Sequence, residues 1–292
     1  MPDWLAWGRG EAASSALSAR RGRGGLRTIH SRLARVVVLH RRQRPDPAAV
    51  SALDRGGMAR HQLLTVVGTS GGLGASTLAA ALARHLGGSV VDGDRCGSGI
   101  DATMVLEEED GLRWPDLAGV EGGLDPARLV SRLPGREVPT LASAGPRTPP
   151  QAAVEAALRA LRSFAPVVVD LPPHALATLP EPDEVDLVVL VAGLRPRQVR
   201  DAVVHAARVD PSRSVLVTRG SRRSAPAADD VARLLEIPLL EHVEDQPSVL
   251  RDEGRGLAPR PRGAWGRVAR AVEAELARLR SVEEDLRPKG VA

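Results

Sequence analysis

The chain of 292 residues has almost no lysine: of its 40 lysine and arginine side chains every one but Lys289, close to the C-terminus, is arginine. Tyrosine is absent, and Phe164 with four tryptophans makes up all the aromatic content. The single cysteine, Cys96, excludes an internal disulfide framework and any multi-cysteine metal site. No histidine or acidic partner is identifiable for it, so it does not read as a nucleophile. No uninterrupted apolar run approaches the roughly 20 residues of a membrane span. The N-terminus also lacks the apolar stretch of a secretory signal, which makes the expected location cytoplasmic.

The apolar content comes from Ala, Val and Leu, which suits a buried parallel sheet covered by Ala-rich helices. GC-rich coding accounts for the abundance of Arg, Ala, Gly and Pro. The net charge of +4 hides an asymmetry: residues 1–62 hold twelve Arg against four acidic residues, a net of +8, which leaves −4 on the rest. Residues 1–61 therefore read as a basic, largely disordered segment and linker. Such an arm suits nonspecific contact with DNA, an anionic surface or an acidic partner; a solvated tail is the plainer reading. Within it, Ile29–Leu39 has the spacing of one short helix or strand.

From Gln62 the pattern becomes regular. Strands are expected at Leu63–Val67, Ser89–Asp92, Val138–Leu141, Pro166–Leu171, Val185–Val191, Ser214–Thr218 and Pro238–Leu240. Helices are expected at Thr77–Leu86, Leu112–Ala118, Pro126–Leu133, Gln151–Ser163, Arg197–Arg208, Ala227–Leu235 and Trp265–Leu286. This alternation over residues 62–286, with a tail at 287–292, predicts an α/β fold: a doubly wound, mostly parallel sheet flanked by helices. Its ligand crevice should lie outside the carboxyl ends of the strands. In the closing helix Glu273, Glu275, Glu283 and Glu284 are mixed with Arg, which favours packing on the sheet over binding to anionic lipid.

Three motifs fall at those strand ends. Ser70-Gly71-Gly72-Leu73-Gly74-Ala75-Ser76-Thr77 joins the first strand to the first helix, where glycines let backbone amides approach phosphate oxygens. The Ser76 hydroxyl is placed to coordinate Mg²⁺, but Ala75 stands where a phosphate-binding loop carries its lysine. Val91-Asp92-Gly93-Asp94 follows the second strand. Val167-Val168-Val169-Asp170-Leu171-Pro172 is an apolar strand ending in the acid that holds a metal-bound water. His174, just beyond, reads as a surface loop residue.

Together these motifs resemble the MinD/ParA family of deviant Walker ATPases over about Gln62 to Arg280. That family carries Lys-Gly-Gly-Val-Gly-Lys-Thr-Thr in the loop, so Ser70 and Ala75 replace both of its lysines. The resemblance implies that residues Ser70 to Thr77 contact the nucleotide, ATP or ADP, and that Ser76, Asp94 and Asp170 serve Mg²⁺. It further implies that Asp94 positions the attacking water, if the site is active, and that Leu239–Asp245 frames the base. Gly-Ala-Ser-Thr in the loop is similar to the CpaE-like branch, in particular its actinobacterial, septum site-determining members. The expected role is regulation of septum-site placement or of Tad-type pilus or secretion positioning, with weak or absent ATPase. Division or Tad/secretion proteins are the implied partners, at the membrane, septum or pole, and a homodimer is the family's usual assembly. Two alternatives stay open: an active ATPase in which Arg95 or a partner's arginine replaces the lysine, and a scaffold that binds no nucleotide.

Overall fold

Runs of Val and Leu without polar alternation form strands that are buried on both faces. The computed structural model describes residues 60–286, apart from 95–98, 121, 146–148 and 179–183. The expectations for the basic segment up to residue 59, for Arg95 and Cys96, and for the tail from 287 lie outside the described residues. Seven strands form one sheet: β1 (Leu63–Gly68), β2 (Ser89–Asp92), β3 (Thr140–Leu141), β4 (Val167–Leu171), β5 (Leu187–Gly193), β6 (Ser214–Gly220) and β7 (Leu239–Glu244). Their order is β3-β2-β4-β1-β5-β6-β7 and every pairing is parallel. The expected doubly wound sheet is what forms.

Among the described residues there are eight α-helices: α1 (Ala75–Leu86), α2 (Gly99–Met104), α3 (Pro126–Arg132), α4 (Gln151–Phe164), α5 (Pro196–Ala206), α6 (Ala228–Leu235), α7 (Pro247–Glu253) and α8 (Gly263–Leu286). One face of the sheet packs Leu64, Val66 and Val189 against Leu78 and Leu82 of α1 and Val268 and Val272 of α8. The other face packs Leu63, Val67 and Leu190 against Leu158 and Leu161 of α4 and Val231 of α6. The closing helix therefore lies on the sheet, with Trp265, Val268, Ala269 and Val272 buried. Among the described residues no helix is long and apolar enough to cross a membrane.

The differences from the sequence reading have local causes. Helix α1 starts at Ala75 and not at Thr77, because Gly74 takes a left-handed φ of 81° and acts as its N-cap. The helix expected at Leu112–Ala118 is a single 3₁₀ turn, Trp114–Leu117, opened by a proline. Strand β7 runs to Glu244 because it pairs with β6 up to Gly220, past an irregularity at Leu216/Val217. The short helices α2 and α7 have too few turns to show an apolar period.

Candidate functional site

The glycine loop leaves the end of β1 in the middle of the sheet. Thr69 anchors it sideways: its amide and its hydroxyl both donate to the Val191 carbonyl of β5, at 2.9 and 3.3 Å. Ser70 Oγ donates to Asp201 Oδ2 of α5 at 2.8 Å, so this side chain is tied to a helix. Gly72 and Gly74 carry φ angles of 75° and 81°, which only glycine adopts without strain, and these two residues bend the loop over α1. The amides of Gly71, Gly72, Leu73 and Gly74 donate to no group among the described residues, and α1 has no side-chain cap. A row of unpaired amides at a helix N-terminus is a cradle for an oxyanion.

The two acidic strand ends meet beside this cradle. Strands β2 and β4 pair with Asp92 opposite Asp170, and β4 is the direct neighbour of β1. Asp170 is 9% exposed. Burial lifts its carboxyl to about 6, the nearby Asp94 charge adds to the rise, and a hydrogen bond from Ser76 opposes it. Asp92 is 2% exposed. Burial, then the Asp170 charge, pushes its carboxyl up to about 7. Its Oδ1 accepts from the Asp94 amide at 3.0 Å, while its Oδ2 is buried without a partner.

The segment that carries Asp94 is held from behind. Trp114 Nε1 donates to the Asp92 carbonyl at 2.8 Å, and the Ser143 hydroxyl donates to the Asp94 carbonyl. The Gly93 amide donates to the Asp170 carbonyl at 2.7 Å, and a Cβ on Gly93 would lie 2.6 Å from Leu171 Cδ1. Only glycine allows β2 and β4 to approach so closely at this point.

The structure thus brings Ser76, at the start of α1 after the loop glycines, into contact with Asp170 and sets Asp94 close to both carboxylates. These groups fit Mg²⁺ and phosphate: hydroxyl and carboxylate oxygens are the donors a hard cation takes. Among the described residues, the buried Oδ2 of Asp92 has no hydrogen-bond partner. Ala75 turns its Cβ onto Gly68, where a Cβ would sit 3.0 Å away, and so brings no charge to the loop. His174 is exposed, as the sequence suggested.

Sequence reasoning missed the reach of Arg219 to the glycine loop, where it donates to the Leu73 carbonyl at 3.1 Å. It also gave no role to Asp92, Trp114, Ser143 or Asp201. A signal existed for Asp92 alone, which opens the Asp-Gly-Asp motif.

Asp92 yields a pH prediction. Its folded-state carboxyl titrates near 7 and an unfolded one near 3.8. The folded state therefore holds a proton that the unfolded state has lost, and stability falls as pH rises between these values. Asp92→Asn should remove this penalty, adding roughly 1–3 kcal/mol at pH 8 and little at pH 4 in metal-free buffer. Urea unfolding at the two pH values measures it; an equal effect at both would show that Asp92 does not titrate in this way.

No protein-family model matches the chain. It is 34% identical over 250 residues to Uncharacterized protein Rv3660c of Mycobacterium tuberculosis strain H37Rv, covering 80% of this chain and 69% of that protein. The same figures hold for Uncharacterized protein MT3760 of strain CDC 1551. Among solved structures, a ParA family ATPase from Chlorobium tepidum superposes with a TM-score of 0.59 at 14% identity, over 73% of this chain and 98% of that one. MinD in the MinC:MinD cell division complex of Aquifex aeolicus gives 0.57 at 14%, over 73% and 96%. A plasmid partition protein of Borrelia burgdorferi bound to AMPPNP gives 0.55 at 14%, over 75% and 100%. At these identities the likeness shows the fold, which is that of MinD/ParA P-loop ATPases.

Proposed function

This chain belongs to the same family as the mycobacterial protein Rv3660c, and we propose that it is a regulatory MinD/ParA-like protein that binds a nucleotide with Mg²⁺ weakly and hydrolyses it slowly or not at all. Its proposed place is the CpaE-like branch, in septum-site placement or Tad-type pilus or secretion positioning. Nucleotide-bound neighbours such as the Borrelia partition protein with AMPPNP and Pyrococcus horikoshii MinD with Mg-ADP support the choice of ligand.

The observation that carries the reading is the state of the loop. Its unpaired amides and the Ser76–Asp170 contact suit binding. The two positions that hold lysine in the resembling family suit turnover poorly: Ser70 is bonded to Asp201, and Ala75 faces Gly68. Bound Mg²⁺ would supply charge neutralisation to the phosphates, with Ser76 and Asp170 as its protein ligands. Within the chain, the loop amides would hold phosphate oxygens, and Asp94, fixed by Ser143 and the Asp92 carboxylate, would orient a water. The missing lysine removes stabilisation of charge that develops on the phosphates, and that loss falls first on turnover.

A phosphate-release assay with Mg-ATP is the test. Turnover of the wild-type chain should exceed that of Asp94→Ala by little or nothing, and sedimentation should show no ATP-driven shift from monomer to dimer. Robust turnover that Asp94→Ala abolishes would overturn the reading and favour an active ATPase with an arginine in the lysine's role.

A further inference from the structure

Arg219 is the penultimate residue of β6, and its guanidinium reaches across to the glycine loop. Nη1 donates to the Leu73 carbonyl at 3.1 Å. The group lies 5.5 Å from the ring centre of Trp265 on α8, at the range of a cation–π contact. A Cβ at Gly74 would overlap Arg219 Nη1 and come within 3.3 Å of the Trp265 ring, so that glycine leaves the space the guanidinium takes. The side chain is only 15% exposed, yet its one carboxylate contact among the described residues is long: Nε to Asp245 at 3.5 Å, with Asp245 69% exposed. Nη2 donates to nothing among the described residues. A charge this buried normally has close partners that offset its lost hydration.

What faces it is a cavity of about 390 Å³, lined by Gly71, Gly72, Leu73, Arg219, Ser221 and Ser224 among others. Asp245 is the one carboxylate in that lining, and Arg195 adds a second guanidinium. The lining thus includes two arginines, two serines whose hydroxyls bond to each other, and Gly71 and Gly72 of the loop. A planar guanidinium with free N–H groups suits a phosphate oxygen in such a place, and it is more weakly hydrated than an ammonium.

We propose that Arg219 is the cation of this phosphate site: Nη1 holds the loop by its Leu73 carbonyl while the remaining N–H groups bind an oxygen of a polyphosphate in the cavity. The inference rests on the nucleotide-binding reading above. It moves the positive charge from the loop's own position 75 to a strand residue that lies 146 positions along the chain from Leu73, which it contacts.

Calorimetric titration of the full chain with Mg-ATP and with inorganic pyrophosphate tests it. Arg219→Gln should weaken both roughly ten- to hundredfold, the usual loss for a hydrogen bond to a charged group. Arg219→Lys should recover part of that loss, even where melting shows it no more stable than Arg219→Gln. Exposed Arg222→Gln should change either affinity less than about threefold. If the wild type binds and Arg219→Gln binds equally well, this inference falls and the nucleotide reading stands. If the wild type binds neither probe, both fall. Should Arg219→Gln fail to fold, Arg219→Met, which keeps the apolar stem over Trp265, carries the test: a folded chain that binds both probes within about threefold of the wild type overturns the inference, and a larger loss supports it.

Discussion

Arg113→Ala is expected to cost roughly 3–5 kcal/mol of stability, the usual price of breaking a buried ion pair from one side. Arg113 is 8% exposed and Asp101 of α2 is 7% exposed. Nε meets Asp101 Oδ2 at 3.0 Å, Nη2 donates to the carbonyls of Leu106 and Glu109 at 2.9 and 3.1 Å, and Nη1 donates to that of Gly111 at 3.2 Å. Alanine would leave a buried carboxylate without its cation and three carbonyls without their donor. For a domain of this size the melting temperature should fall by on the order of 10 °C. Arg113→Lys should rescue little, because one ammonium cannot span four acceptors. Arg113→Met with Asp101→Leu should recover most of the loss, since apolar residues leave no charge to desolvate. The damage should also reach the site, because the next residue, Trp114, holds the Asp92 carbonyl. A melting change below about 2 °C for Arg113→Ala would show that the pair is not holding this segment.

What the sequence displayed and what it hid divide by distance along the chain. Strands β1, β4 and β5 were legible because each is a short apolar run, and their parallel arrangement followed from the helices between them. The glycine loop and the acids at 92, 94 and 170 were legible because each motif is local and ends a strand. The groups that tune the site come from far away: Asp201 reaches Ser70 across 131 residues, and Arg219 reaches Leu73 across 146. A lone arginine among 40 basic residues carries no signal of such a contact. Only the side-by-side placement of β5 and β6 brings their C-terminal loops to the glycines. Asp92 was visible within its motif, but its burial depends on the Asp92–Asp170 register, which spacing alone does not reveal.

Ala75→Lys is expected to have the largest effect on activity: tighter Mg-ATP binding and turnover raised roughly a hundredfold over the wild type, the scale of one well-placed charge-stabilising donor. Position 75 opens α1, directly after the left-handed Gly74, so a lysine there would extend along the inside of the loop toward the phosphates. Ser70→Lys should gain far less. Its ammonium would find Asp201, which Ser70 already contacts at 2.8 Å, and would spend its charge on that carboxylate. Phosphate release by the two variants, each with Asp94→Ala as its blank, separates these outcomes. If Ala75→Lys matches the wild type, loss of the loop lysine is not what limits the site. The same substitution also probes Arg219. If both residues serve one phosphate group, their contributions cannot be additive. Ala75→Lys should then improve Mg-ATP affinity more in an Arg219→Gln background than in the wild type, where a cation is already present. Equal gains in the two backgrounds would mean that the lysine and the arginine act on separate parts of the ligand.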